Sequence, residues 1–550
     1  MKRYRGAAAT RRAGLTAALA LLSLAMPYPA AAGPSGKPAI SPGEQMYRSG
    51  ILPSGRLMAA TVEHDVPVTA NQLACAQCHR RSGLGSSEGG TVFPPINGRA
   101  LFAPKQSRRA ELGGVRTPGQ AQRPAYTRAS LIRAIRDGID PSGRELNRLM
   151  PRYALNPADV EKLVDYLATL STEPSPGVTD SELHLATIIA PPVDAAKKQA
   201  MLAVLRAYVR DKNAQTRLES RRKRHSPWHK EWPYEAYRTW VLHVWELKGP
   251  PDSWSAQMEA HYRTWPVFAV VGGLGAGQWQ PVHAFCEQRA VPCLFPNVAL
   301  PPDPGKDFYT VYFTRGLYGD AAAVARHLAD STARHIVQLY PDTENGRVLA
   351  AAFDDALKKA GLGPSEGHPL AKTRRPDKAY WKEILRTGAP DALVVWLPAS
   401  QVSALASLPP SLLPGRLYLS SGTLEPQGAA ALPASLRERT FLAQRFVREQ
   451  SLQRRLRRVN AWLRAKHIPI TAPRIQANTF FAVTTVTDVM SHIRGNFYRD
   501  YFLEKVEHMV DNVVWKSVYP DMSLAPGQRT AVKGCYIVSL ADGRATWLVP

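Results

Sequence analysis

The chain has 550 residues, with 70 Lys+Arg against 45 Asp+Glu for a formal charge of +25, and is 45% hydrophobic and 21% charged. At about 150 residues per domain this length excludes a single small domain, and the composition excludes a mostly disordered chain or a multi-span membrane protein. The basic surplus is large enough to influence which partners are met and how fast, but its sign alone does not separate nucleic acid, anionic lipid and acidic protein.

Lys2, Arg3, Arg5, Arg11 and Arg12 precede an apolar stretch from Leu15 to Met26, and Ala30-Ala31-Ala32 supplies small residues where a signal peptidase cuts. Residues 1–32 therefore read as a secretory signal peptide. The stretch is too short to cross ~30 Å of hydrocarbon, and no later segment reaches ~18 uninterrupted apolar residues, so no transmembrane segment is predicted. The mature protein is expected in the periplasm with a charge of +20, where nucleic acid is not an expected partner. Thr10-Arg11-Arg12 is a faint twin-arginine signal, outweighed by an ordinary basic n-region.

The next strong signal is Cys75-Ala76-Gln77-Cys78-His79. In an exported protein this spacing sets two thiols to form thioethers with the vinyl groups of one haem, while the adjacent imidazole reaches the iron. A structural disulfide would not require His79. Met150 is the only methionine between His79 and residue 171, in an extended Leu149-Met150-Pro151-Arg152-Tyr153 stretch where the proline prevents helix. It is the candidate second axial ligand. Asn156 then caps a helix with Pro157 at its first position, and Val160, Leu163, Val164, Leu167 and Leu170 recur at helical spacing. A run with two prolines and a glycine, Ser171-Thr172-Glu173-Pro174-Ser175-Pro176-Gly177, opens a predicted linker over 171–181.

Over residues 43–170 the chain resembles the class I c-type cytochromes, small all-α domains. Gly43 and Tyr47 fall in the opening helix, and Pro94-Pro95-Ile96-Asn97-Gly98 is similar to the family's Pro-x-Leu-x-Gly loop. The resemblance implies that Cys75, Cys78, His79 and Met150 hold one covalent haem c, with His79 and Met150 on the metal, and that the Pro94 carbonyl accepts the His79 Nδ1 hydrogen. An insertion over about 51–70 departs from the family pattern near the haem edge. The family also implies Sec export, because haem attaches to an unfolded chain after translocation. With both axial positions filled, one-electron transfer rather than catalysis is expected. A haem peroxidase needs a second haem or an open iron position, and only one Cys-x-x-Cys-His is present. Residues 43–170 carry 17 basic and 11 acidic residues, and Arg80 and Arg81 directly follow the proximal His79, so a basic haem edge is expected to steer an acidic periplasmic redox partner. A quinoprotein dehydrogenase or a terminal oxidase is the partner class this suggests.

From 182 to 550, strand-like runs at Leu183–Ala190, Trp240–Trp245, Val267–Val271, His335–Leu339, Ala392–Trp396 and Arg416–Leu419 alternate with helices such as Asp320–Leu328, Gly346–Ala360 and Asp377–Arg386. This order predicts parallel sheets covered by helices, in two lobes. Val267–Gly273, Val291–Pro296, Tyr309–Arg315, Leu339–Asp342 and Leu417–Gly422 resemble the type I periplasmic binding proteins, the family of branched-chain amino-acid receptors. That resemblance implies an inter-lobe cleft lined by Gln278, Trp279, Tyr340, Ser420 and Ser421. The two ligand loops, Gly273–Trp279 and Pro296–Pro302, lack the hydroxyl residues that an α-amino acid needs, so the cleft is expected either to serve as scaffold or to take another small molecule. The expected function is a periplasmic electron carrier whose second module docks a partner or senses a small molecule; the alternative is the substrate-binding receptor of an ABC-type transporter that carries a haem domain.

Cys286 and Cys293 are placed either for a disulfide or as two buried thiols, and Cys535 reads as a core cysteine in a strand. Arg454-Arg455-Leu456-Arg457-Arg458 reads as a solvated helix face. His225 and His229, with Trp228 and Trp232, have no third ligand spaced with them and read as surface histidines.

Overall fold

The computed structural model describes residues 40–549 apart from 64, 70–73, 105–122, 226–237, 387–388, 399–400, 425–431, 494 and 512–516. The expected signal peptide, together with Trp228, His229 and Trp232, lies outside the described residues.

The opening helix, Pro42–Ser49, starts where Ser41 Oγ accepts from Glu44 N–H at 3.1 Å and ends at left-handed Gly50, φ 67°. It buries Gly43, Met46 and Tyr47 against the helix Pro157–Thr169. A Cβ on Gly43 would lie 2.2 Å from the Lys162 carbonyl oxygen, so the two helices cross this closely only with glycine there. Asn156 caps the later helix by accepting from Asp159 N–H, with Pro157 in its first turn. Leu131, Ile135, Leu163, Val164 and Leu167 fill the space between these helices and Arg128–Asp137.

The insertion has a structural role. Ala59–Val62 pairs antiparallel with Val66–Thr69 on one side and with Arg152–Tyr153 on the other, in register Ala60 to Tyr153. The inserted hairpin thereby fixes the backbone two residues beyond Met150. Arg152 adds to this by donating to the Leu146 carbonyl at 3.0 Å. The helical module therefore also carries a small three-stranded sheet, as well as the hairpin Ser86–Glu88 with Thr91–Phe93.

Among the described residues, the rest of the chain builds two seven-stranded sheets. In the first, Glu182–Ala190 is central: Ala269–Val271, Cys293–Leu294 and Thr310–Val311 follow on one side, and Leu274–Gly275, Asn297–Val298 and Thr239–Glu246 also join it, all parallel. From Leu183 to Ala190 every residue is buried, which is why the strand reads as an almost unbroken apolar run. The second sheet runs Glu366–Leu370, Ile336–Pro341, Ala392–Val395, Arg416–Ser420 and Thr440–Gln444 in parallel. It is completed by Cys535–Ser539, antiparallel to Thr440–Gln444, and by its hairpin partner Ala545–Leu548, antiparallel to Cys535–Ser539.

Pro473–Ile493 and Arg499–Met509 return to the first sheet, where Phe480, Phe481, Val486 and Phe502 join the core formed by Leu185, Phe268 and Leu294. Cys286 and Cys293 form a disulfide with their Cα atoms 6.3 Å apart. Cys535 is buried, its Sγ 3.6 Å from Asp320. On the helix Glu449–Ala465, Arg454, Arg457 and Arg458 are exposed, whereas Arg455 turns inward to donate to the Ser517 and Tyr519 carbonyls. Among the described residues no helix is long and apolar enough to cross a membrane.

Candidate functional site

A cavity of about 1290 Å³ opens in the helical module, and Cys75, Cys78, His79, Pro94 and Met150 all lie on its wall. The short helix Cys75–His79 presents the two thiols and the imidazole from consecutive turns. The two cysteines are not joined to each other. The Pro94 carbonyl can only accept, so the 2.8 Å contact from His79 Nδ1 puts the ring hydrogen on Nδ1 and leaves Nε2 as the ring's remaining nitrogen. Burial lowers the His79 pKa, only partly opposed by the Pro94 hydrogen bond, which favours the neutral ring. Burial also pushes the Cys75 thiol up to about 11.

Leu101, Leu131, Ile135, Leu163 and Leu167 supply apolar walls. The volume exceeds the ~300–1,000 Å³ of ordinary small-molecule pockets. Two thiols, a neutral imidazole with its tautomer set, and a thioether around one large apolar cavity fit a covalently attached haem. Val92 and Leu149, both on the cavity wall, are among the exposed large apolar residues, so the cavity opens to an apolar rim.

The expected steering role of Arg80 and Arg81 is not what the structure supports. Both point at the second module. Asp500, Glu504 and Glu507 stand at i, i+4 and i+7 on Arg499–Met509, one stripe of that helix. Arg81 Nε pairs with Asp500 at 3.1 Å, Arg48 pairs with the same carboxylate at 3.2 Å, and Arg80 pairs with Glu507 at 2.9 Å. Ser82 N–H and Oγ both donate to Glu504, at 2.7 and 2.6 Å. Tyr309 O–H donates to Asp500 at 2.6 Å, and the Arg81 guanidinium lies 4.2 Å over Phe308. The segment directly after the haem-attachment motif is thus bolted to the binding module, and its charge is neutralised there rather than offered to a partner. An acidic i, i+4, i+7 stripe in an otherwise basic sequence was the available signal for this interface.

The predicted cleft is a second cavity, of about 280 Å³, at the carboxyl ends of strands from both sheets. Both loops named from the sequence reach it, through Gly275, Ala276 and Pro296 to Ala299. The five side chains expected to line it do not. Trp279 is buried beneath its own loop, where a Cβ on Gly275 would lie 2.9 Å from its ring, which accounts for the glycines. Gln278 donates to Glu344 instead. Ser420 Oγ donates to Asp320 at 2.6 Å, Ser421 is buried, and Tyr340 packs toward Gly367 in the second sheet. The residues the sequence reading missed are Arg445, Arg474, Asn478 and Tyr519, brought in from distant segments.

The one cavity-lining carboxylate, Asp194, already accepts from Lys197 N–H at 2.9 Å. Asp194 is exposed, so among the described residues no buried carboxylate lines the cavity to receive an α-ammonium group. Calorimetry with leucine, isoleucine and valine is expected to give no binding in the micromolar range; micromolar affinity for any of them would contradict this.

Two parallel sheets with a cleft at their carboxyl ends define the binding-protein class, and the thiol-imidazole cavity defines a c-type cytochrome module. The Periplasmic binding protein family matches residues 244–545 and the Cytochrome c family matches residues 69–171. The chain belongs to the periplasmic binding protein family and carries a cytochrome c domain, which implies covalently bound haem. Solved structures that it resembles include a branched-chain amino acid ABC transporter protein from Thermus thermophilus with bound valine, at 13% identity over 68% of this chain and 96% of that one, with a TM-score of 0.49. Another is a fatty acid ABC transporter substrate-binding protein from Thermomonospora curvata, at 16% identity over 68% and 94%, with a TM-score of 0.48. Comparison with the curated proteins gives no match.

Proposed function

We propose that this protein is a periplasmic one-electron carrier with a single His/Met-ligated haem c, docked on a binding module that responds to a small molecule. The observation that carries the reading is the common cavity of Cys75, Cys78, His79 and Met150, with His79 Nδ1 tied to Pro94. A haem held there supplies reversible one-electron chemistry at iron. Cys75 and Cys78 would hold it covalently, His79 through Nε2 and Met150 through Sδ would ligate its iron, and Pro94 would orient the imidazole. The hairpin Ala59–Thr69 steadies the Met150 segment through its pairing to Arg152–Tyr153. Iron ligated by both side chains would leave no open position for a substrate, which favours electron exchange over substrate turnover.

Since Arg80 and Arg81 face inward, the partner, a dehydrogenase or oxidase in this reading, meets the apolar rim at Val92 and Leu149. Export by the signal at residues 1–32, module boundaries of 43–170 and 182–550, and the linker at 171–181 complete the proposal.

A pyridine haemochrome spectrum is expected to show covalent haem c at one per chain, and Met150→Ala is expected to abolish the long-wavelength sulfur-to-iron charge-transfer band while leaving attachment intact. Non-covalent haem, or the band persisting in Met150→Ala, would refute the site. The transporter-receptor alternative predicts instead that deleting a neighbouring permease abolishes uptake of the cleft's ligand.

A further inference from the structure

We propose that the second module supplies a residue of the haem site: Asn496 closes one side of the first cavity, and its uncharged amide there helps set the reduction potential. This rests on the reading of that cavity as the haem site.

The placement of Asn496 is the first argument. Of the described residues that line the cavity of about 1290 Å³, it is the one that comes from beyond residue 170. It follows the helix Pro473–Ile493, whose last residue, Ile493, is fully buried in the core of the first sheet. Gly495, at φ 96°, turns the chain out of that helix. Asn496 N–H donates to the Ile493 carbonyl and Tyr498 N–H donates to the Asn496 carbonyl, both at 2.8 Å. Ser175 N–H donates to the Phe497 carbonyl at 2.8 Å, and Arg499 N–H donates to Ser175 Oγ at 3.1 Å. The Phe497 ring meets Phe268 edge-on, with centroids 6.4 Å apart. The backbone is thus fixed on both sides of Asn496, and the binding module sets where this part of the cavity wall stands.

The second argument is what the polar groups of the wall already do. Asn97 Nδ2 donates to the Ser171 carbonyl at 3.1 Å, Arg123 donates to the Ala100 and Leu101 carbonyls at 2.6 and 3.2 Å, and Arg144 pairs with Asp140 at 2.8 Å. The half-buried Asn496 amide has no such bond among the described residues, and neither has Arg99, exposed on the same wall. Burial raises the pKa of the Tyr498 hydroxyl, while the Arg99 charge lowers it and the Glu173 charge raises it. Arg99 therefore stands beside this loop, and Glu173 does not line the cavity. This stretch of wall carries the charge of Arg99 next to a neutral Asn496.

A charge on the wall acts on the one-electron equilibrium because the oxidised site carries one more positive charge than the reduced one. At an effective dielectric of ~20, two unit charges about 12 Å apart shift an equilibrium about tenfold, whereas salt screens such an interaction across open solvent. A carboxylate at position 496 would offset Arg99 and favour the oxidised form. An ammonium there would add to Arg99 and favour the reduced form.

The test is a spectroelectrochemical titration of the full-length holoprotein, Asn496→Asp and Asn496→Lys. Ala461→Asp and Ala461→Lys, on the exposed face of Glu449–Ala465 and off the cavity wall, make the same changes of net charge. Asn496→Asp is expected to lower the potential and Asn496→Lys to raise it, each by about tenfold in the equilibrium, or about 59 mV. The Ala461 variants are expected to shift it by less than about twofold. Opposite signs separate an electrostatic role from a disturbed loop, which would move both variants the same way. If one charge variant does not fold, the other decides against its Ala461 counterpart. Unchanged potentials at 496, shifts of the same sign, or shifts no larger than those at Ala461 would each overturn the proposal. The haemochrome spectra of the same samples report on the haem-site reading separately: covalent haem with an unmoved potential removes only the role of Asn496, and a wild-type protein without covalent haem removes both.

Discussion

Asp500→Arg is expected to release the haem module from the binding module while leaving the haem spectrum unchanged. Asp500 is half-buried at the interface: desolvation pushes its carboxyl up, but the neighbouring Arg81 and Arg48 guanidinium groups outweigh that and hold its pKa below the usual carboxylate range. Replacing it with a cation sets three positive groups against one another and leaves Tyr309 O–H without its acceptor. Breaking one partner of a buried ion pair costs about 3–5 kcal/mol, a shift of at least a hundredfold toward the undocked form. Small-angle scattering should report a larger radius, and a protease should cut within 171–181, a stretch otherwise secured where Ser171 Oγ donates to the Ser82 carbonyl and Ser175 N–H donates to Phe497. Because these pairs are partly shielded from solvent, raising salt should weaken docking far less than the variant does. Unchanged scattering and proteolysis in Asp500→Arg would show that the interface is held by something other than these charges.

The parts legible in the sequence were those written in local pattern. Cys75-x-x-Cys78-His79 and the lone downstream Met150 named the residues of the first cavity, and the apolar runs around Leu183–Ala190 and Ala392–Val395 named central strands to within a residue or two. What escaped was set by tertiary arrangement. Arg80 and Arg81 are followed by no acid nearby in sequence; their partners lie more than 400 residues away, and a local reading assigns such arginines to solvent. The cleft failed for the same reason. The loops could be located because strand ends can be located, but Arg445, Arg474 and Asn478 come from a strand end and a helix that fold back from late in the chain. Trp279 looked like a ligand-facing aromatic, yet the glycines beside it serve to let its ring fold under the loop.

Docking of the two modules is also expected to weaken as the pH rises from 5 to 9, through Glu504. Burial raises this carboxyl to about 7, with the two Ser82 hydrogen bonds pulling it down less strongly and the Asp500 charge adding to the rise. Arg80 lowers it, and Lys505 is the other charge beside it. The docked value lies above the ordinary 4.5 of a free glutamate, so the docked form binds the proton more tightly. Its contribution is complete below the free value and is lost as the pH climbs through about 7. The shift corresponds to roughly 3 kcal/mol across that window. Asp500 works in the opposite sense: its lowered pKa stabilises docking above the free value and is lost only in stronger acid. Docking is therefore tightest in mild acid and loosens on the alkaline side. Glu504→Gln keeps an oxygen for Ser82 N–H and removes the ionisation, so its docking should be flat between pH 5 and 9. Scattering and cleavage within 171–181 measured at pH 5, 7 and 9 decide the matter: a wild-type protein that opens on acidification in this range, or a Glu504→Gln variant that follows the wild type, would remove Glu504 as the titrating group. The consequence for function is direct. Ser82 lies three residues beyond His79, so the proton on Glu504 bears on the segment that carries the proposed iron ligand His79.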